Sequence, residues 1–151
     1  MITLFYALEP EVPGYLGDDT VLDTTVRPSR VEGTLYYEID NWFGDELITA
    51  HPCFVVTERL ASALAGSGLG SFEIRSVEVR YGEGAYKRLY RHGLSEFPEF
   101  RWLFVTGTAG LDDVGLTPMG ALVVSDAALQ VFRQGNLDMC GVEEYDPETH
   151  K

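Results

Sequence analysis

Cysteine and histidine are scarce in this chain, with Cys53, Cys140, His51, His92 and His150 the full set among 151 residues. No Cys-x-x-Cys occurs. His51 and Cys53 form one close pair, and no second pair follows at zinc-site spacing, so no metal site is expected. The two cysteines read as small buried hydrophobes rather than a disulfide. Basic residues are scarce too, 11 against 24 acids, for a net charge of −13. So acidic a surface repels phosphate backbones, which argues against nucleic acid as a partner. No apolar run reaches the roughly 20 residues of a membrane-spanning helix. Met1 to Leu8 is apolar but short, has no basic start and runs into Glu9-Pro10-Glu11, so it reads as neither span nor signal peptide. A cytoplasmic location, with no membrane partner, is the expectation.

Catalytic motifs are missing as well. No Gly-x-Ser-x-Gly elbow, Ser-x-x-Lys, phosphate-binding loop or Gly-x-Gly-x-x-Gly opening a helix is found. His51 and Cys53 would share a face of an extended segment, yet no third group orients the histidine. No catalytic residue and no cofactor are expected.

What the chain does contain is a pattern that recurs. Residues 54–57 (Phe-Val-Val-Thr) correspond to residues 122–125 (Leu-Val-Val-Ser), 68 positions later, and Leu64 falls on Phe132, Ser67 on Gly135, Leu69 on Leu137 and Phe72 on Cys140. Each copy, about 53–79 and 121–145, reads as a strand, a hydroxyl residue, an acid, a short helix, a glycine break and another strand. Thr57 and Ser125 are suited to cap the first turn, because a side-chain oxygen accepts from a backbone N–H that the helix leaves unpaired. Glu58 and Asp126 add negative charge at the positive helix end. Leu60 with Leu64, and Leu129 with Phe132, lie about one turn apart and face the core. Any strand leading into a capped helix needs this pattern, so the likeness by itself demands structural similarity only.

Further strands are expected at Ile2–Leu8, Thr34–Ile39, Phe72–Val79, Trp102–Thr106 and Met139–Tyr145. The alternation over Phe72–Val79 changes phase, which suggests a bulge near Ser76. Residues 9–33, rich in Pro and Gly, read as an irregular excursion with one short strand around Val21 or Val26. Leu47–Ala50 reads as a helical turn, Arg80–Leu94 as a connecting loop or an irregular hairpin, and Gly107–Gly120 as a loop. Together these predict a single α+β domain over 1–151, its mixed or mostly antiparallel sheet covered by two short helices.

Charge is distributed unevenly. Residues 1–50 hold ten acids and two bases, residues 51–100 six of each, and residues 101–151 eight acids and three bases. Paired acids in glycine-flanked loops, Asp18-Asp19, Asp45-Glu46 and Asp112-Asp113, are the most conspicuous polar features. Without Asp-x-Asp-x-Asp-Gly spacing they read first as solvated turn acids. Trp42-Phe43, in a turn before Gly44-Asp45-Glu46, is the aromatic pair least easily assigned to a core.

Phe54-Val55-Val56-Thr57-Glu58-Arg59-Leu60 and Leu122-Val123-Val124-Ser125-Asp126-x-Ala128-Leu129 resemble segments of immunity proteins from bacterial polymorphic-toxin systems. The resemblance covers about half the chain and rests on packing residues. It implies a binder that neutralises a toxin by occlusion, and it transfers no site. A basic toxin domain would be held by acidic loops and aromatic anchors, the expected surface being Asp18, Asp19, Trp42, Asp45, Glu46, Asp112 and Asp113. Two other classes stand beside this one: a metal-assisted hydrolase built on the loop aspartates, and a scaffolding subunit that uses a sheet edge.

Overall fold

The computed structural model describes residues 4–91, 93–94 and 96–151. Ile2 and Thr3 of the expected first strand, and His92, lie outside the described residues. In chain order the strands are β1 (Phe5–Glu9), β2 (Gly14–Leu16), β3 (Val21–Asp23), β4 (Arg30–Glu32), β5 (Tyr36–Ile39), β6 (Leu47–Ala50) and β7 (Cys53–Thr57). Helix α1 (Glu58–Ala65), β8 (Phe72–Arg75), β9 (Glu78–Tyr81), α2 (Glu83–Arg91) and β10 (Phe100–Val105) follow. The chain ends with β11 (Val114–Leu116), β12 (Leu122–Ser125), α3 (Asp126–Phe132) and β13 (Gly141–Glu144). The fold is α+β, its sheets dominated by antiparallel pairs, with β5 and β9 parallel.

The recurring pattern becomes two sheets of the same design. One has the order β6-β7-β10-β8, the other β11-β12-β1-β13. In each, a strand runs into a capped helix, and the strand after the helix joins the sheet one place away. The gap is filled by an antiparallel strand from elsewhere in the chain. Register agrees residue by residue. Phe100 pairs Thr57 and Leu103 pairs both Phe54 and Ile74; Phe5 pairs Ser125 and Leu8 pairs both Leu122 and Val142. The caps also agree, with Thr57 Oγ1 accepting from Leu60 N–H at 3.3 Å and Ser125 Oγ from Ala128 N–H at 3.1 Å.

Two cores result, and the β6-β7-β10-β8 sheet lies between them. Alternate residues of β7 point to opposite faces. Phe54 and Val56 pack with Leu47, Leu103, α1, α3 and the second sheet. Cys53 and Val55 pack with Ile48, Trp102 and the small sheet β2-β5-β9. Leu64 and Phe132, at matching places in α1 and α3, are fully buried. Burial of each stabilises the fold by about 1.5–3 kcal/mol.

Several expectations are corrected here. Leu47–Ala50 is a strand, and its unbroken apolar run reflects burial on both faces, not helical periodicity. Residues 83–91 form a third helix whose buried contribution is only Ala85 and Leu89, one turn apart. Beside Ser76 there is no bulge. The phase changes because β8 ends in one sheet and β9 begins in another. The expected loop Gly107–Gly120 contains β11. Both cysteines are free, Cys53 buried and Cys140 half-buried. Burial pushes the Cys53 thiol up to about 12.

Candidate functional site

Asp45 and Glu46 sit at the entry to β6, where the turn after β5 brings the chain back through the protein. Glu46 is buried and accepts from Thr57 Oγ1 at 2.9 Å, from Arg59 through Nε at 2.9 Å and again through its terminal nitrogen, and from Asn136 N–H at 2.6 Å. Burial raises its pKa, but the Arg59, Asn136 and Thr57 hydrogen bonds outweigh that and hold the carboxyl below its ordinary value. Thr57 is thus engaged both ways, donating to Glu46 while capping α1. Its counterpart repeats the device, since Ser125 Oγ donates to Asp113 at 2.6 Å while capping α3. Glu46 and Asp113 are therefore matching parts of two helix caps.

Asp45 is fully buried, and its Oδ2 accepts from Met139 N–H at 2.9 Å while Oδ1 has no hydrogen-bond partner among the described residues. Glu11, a buried acid that sequence reasoning missed, accepts from Phe43 N–H at 2.7 Å and Asp45 N–H at 3.2 Å. Burial raises the pKa of both carboxyls. Nothing in the Glu9-Pro10-Glu11 sequence marks Glu11 as the acid that turns inward. Trp42 is buried, donates through Nε1 to Asp45 O at 2.8 Å and meets Phe100 edge-on at 5.7 Å. Asp112 closes its own loop by accepting from Thr108 N–H at 2.7 Å.

The seven expected surface residues thus do not form one surface. Trp42, Asp45 and Glu46 are interior, a correction that follows from the double-sided burial of β6 and β7. Asp112 and Asp113 serve the turn before β11 and the α3 cap. Asp113 is exposed but is engaged in the α3 cap, whereas Asp18 and Asp19 are exposed acids beside a broad face, and Asp19 reaches Arg80 at 3.5 Å.

That face is the solvent side of the small sheet. Tyr15 lies opposite Glu38, and Glu38 opposite Arg80, so all three project together, with Tyr36 and Glu78 paired one step along. Their alternates, Leu16, Tyr37 and Val79, turn to the core. Tyr15 is 50% exposed. The charge of Glu38, followed by those of Asp40 and Asp18, raises the Tyr15 phenol pKa; Glu38 lies opposite Tyr15, and the exposed Asp18 and Asp40 follow the ends of β2 and β5. Arg80 lies over Tyr36 at 5.1 Å. Elsewhere, a groove of about 500 Å³ contains Tyr86, Tyr90 and Phe97, with Tyr81 stacked on Phe97 at 3.9 Å. Among the described residues no three of His, Cys, Asp and Glu gather as metal ligands, and no helix is long and apolar enough to cross a membrane.

The fold and this surface define an α+β protein of two matching strand–helix–strand units and a small sheet with an acidic, aromatic face. No protein-family model and no curated protein matches the chain.

Proposed function

We propose that this chain is an acidic protein-binding module, and within that class an immunity protein that neutralises a cognate bacterial toxin by occluding its active site. The observation that carries the reading is the half-exposed Tyr15 opposite Glu38 on the open face of the small sheet, with the exposed Asp18 and Asp40 just beyond the ends of the paired strands β2 and β5. An aromatic ring of this kind supplies contact area at low entropic cost, and surrounding carboxylates select a basic partner and speed the encounter. Arg80, tied to Asp19, stands on this face among Tyr15, Tyr36, Glu38 and Glu78. The remaining negative charge of the molecule acts in the same direction at longer range.

The test is capture of partners by the intact chain from lysate of its source at low salt, with elution as salt rises and identification by mass spectrometry. One basic protein is expected to elute at high salt. With that partner in hand, Asp18→Lys, Glu38→Lys and Asp40→Lys together are expected to slow association by about tenfold or more and to flatten its salt dependence. Tyr15→Ala is expected to speed dissociation by a similar factor, on the order of tenfold. Association and dissociation unaltered by all four changes would remove this face from the interface.

A further inference from the structure

The outer edge of β8 carries a self-complementary pattern, and we infer that two copies of this chain pair through it to extend the β6-β7-β10-β8 sheet across a two-fold axis. Among the described residues β8 is the last strand of its sheet and is paired on one side only, with β10. Thr106 N–H donates to Ser71 O at 2.9 Å, which fixes the alternation along the ladder. Ser71 C=O and the N–H and C=O groups of Glu73 and Arg75 turn toward β10, so Phe72 and Ile74 turn theirs to the open side.

A second β8 laid antiparallel about Ile74 would meet those groups directly. Ile74 would exchange both backbone hydrogen bonds with Ile74 of the second copy. Glu73 would then stand opposite Arg75 of that copy, and Arg75 opposite its Glu73. Both would be non-hydrogen-bonded pairs, the kind that brings facing side chains closest. The side chains are already disposed for this. Arg75 lies over Phe104 at 3.6 Å and bonds Glu73 of its own strand at 2.9 Å, with both side chains still open to solvent. Pairing between copies would share each of those charges across the axis.

The molecule contains its own control for this pattern. β13 holds the matching edge position in the other sheet, with Val142 opposite Leu8 as Ile74 is opposite Leu103. Its sequence there is Gly-Val-Glu-Glu. A two-fold about Val142 sets glycine against Glu143, and one about Glu144 sets two carboxylates against each other. The remaining outer strands of the two large sheets are bridged, β6 by Glu11 and β11 by Thr108. Among these four edges, β8 is the one that is both open and complementary to itself.

An edge of four residues supports a weak dimer. The intact chain is therefore followed by sedimentation from about 1 μM to about 1 mM at physiological ionic strength, a span suited to weak affinities. The expected result is a mass rising toward twice the 16.8 kDa of one chain, with amide exchange at Phe72 and Ile74 slowing in step. Arg75→Glu sets like charges opposite each other at both ends and is expected to weaken pairing by about tenfold or more. The double variant Glu73→Arg with Arg75→Glu restores the complementarity and is expected to restore the dimer. Glu73→Arg alone serves if Arg75→Glu does not fold, as judged by far-UV circular dichroism. The proposal is overturned by any of three results: a chain that stays monomeric throughout, a dimer without protection at Phe72 and Ile74, or a double variant that folds but does not regain pairing. Partner capture does not enter this test, so it stands apart from the function proposed above.

Discussion

Asp45 and Glu46 are adjacent carboxylates in opposite situations, and pH separates them. Glu46 accepts four hydrogen bonds, three from Thr57 and Arg59 side chains and one from Asn136 N–H. Its pKa is lowered, so its contribution to stability is present above its unfolded value, about 4.3, and is lost as pH falls through the folded value. Asp45 has one carboxylate oxygen without a partner among the described residues, and its pKa is raised, chiefly by burial. Its contribution is present below its unfolded value, about 3.9, and is lost as pH rises through the folded one. Asp45→Asn keeps an acceptor for Met139 N–H and removes a buried charge. It is expected to raise the melting temperature at neutral pH, with the gain shrinking as pH falls through the raised folded value and gone by about 3.9; a loss at neutral pH would show that the charge itself holds the turn. Glu46→Gln is expected to cost about 1–2 kcal/mol in denaturant melts, most of it from hydrogen bonds, since Arg59 is largely exposed and screened.

At the scale of elements, the two helix caps are the same device in different surroundings. Ser125→Ala is expected to cost about 1 kcal/mol, the ordinary cost of an N-cap, because water reaches exposed Asp113. Thr57→Ala removes a cap and also a donor to buried Glu46, so about 2 kcal/mol is expected. Equal costs in parallel denaturation curves would remove Glu46 from the account. The caps were legible because hydroxyl, acid and apolar spacing all lie within four residues. Their carboxylates were not, because Glu46 and Asp113 reach Thr57 and Ser125 only through strand pairing. The same limit explains α2, whose two buried residues leave a polar sequence that resembles a loop. It also explains β6, whose double burial erases the alternation that marks a half-exposed strand. Likewise the phase change after Arg75 was visible, whereas its cause, a change of sheet, depends on where β9 pairs.

The whole molecule adds what no segment carries, namely which acids share a surface. Asp18 and Asp19 were legible as exposed turn acids. Their union with Tyr15, Glu38 and Asp40 requires the β2–β5 pairing, and the burial of Trp42 requires the core that β6 and β7 close over it. That same closure makes a prediction about cooperativity. Trp42 and Trp102, both tryptophans of the chain, belong to the core beneath the small sheet, whereas α1 and α3 belong to the other core. β7 and β10 serve both, with Phe54, Val56 and Leu103 on one side and Val55, Phe100 and Trp102 on the other. Neither core can open without stripping one face from these strands, so tryptophan fluorescence and far-UV circular dichroism are expected to give one coincident transition. Phe132→Ala makes the test stringent. It empties a fully buried site in the core that lacks tryptophan, at a cost of about 3–5 kcal/mol. Its fluorescence midpoint is expected to fall as far as its dichroism midpoint. A dichroism midpoint that falls alone would mean that the two cores unfold separately and that the shared strands do not couple them.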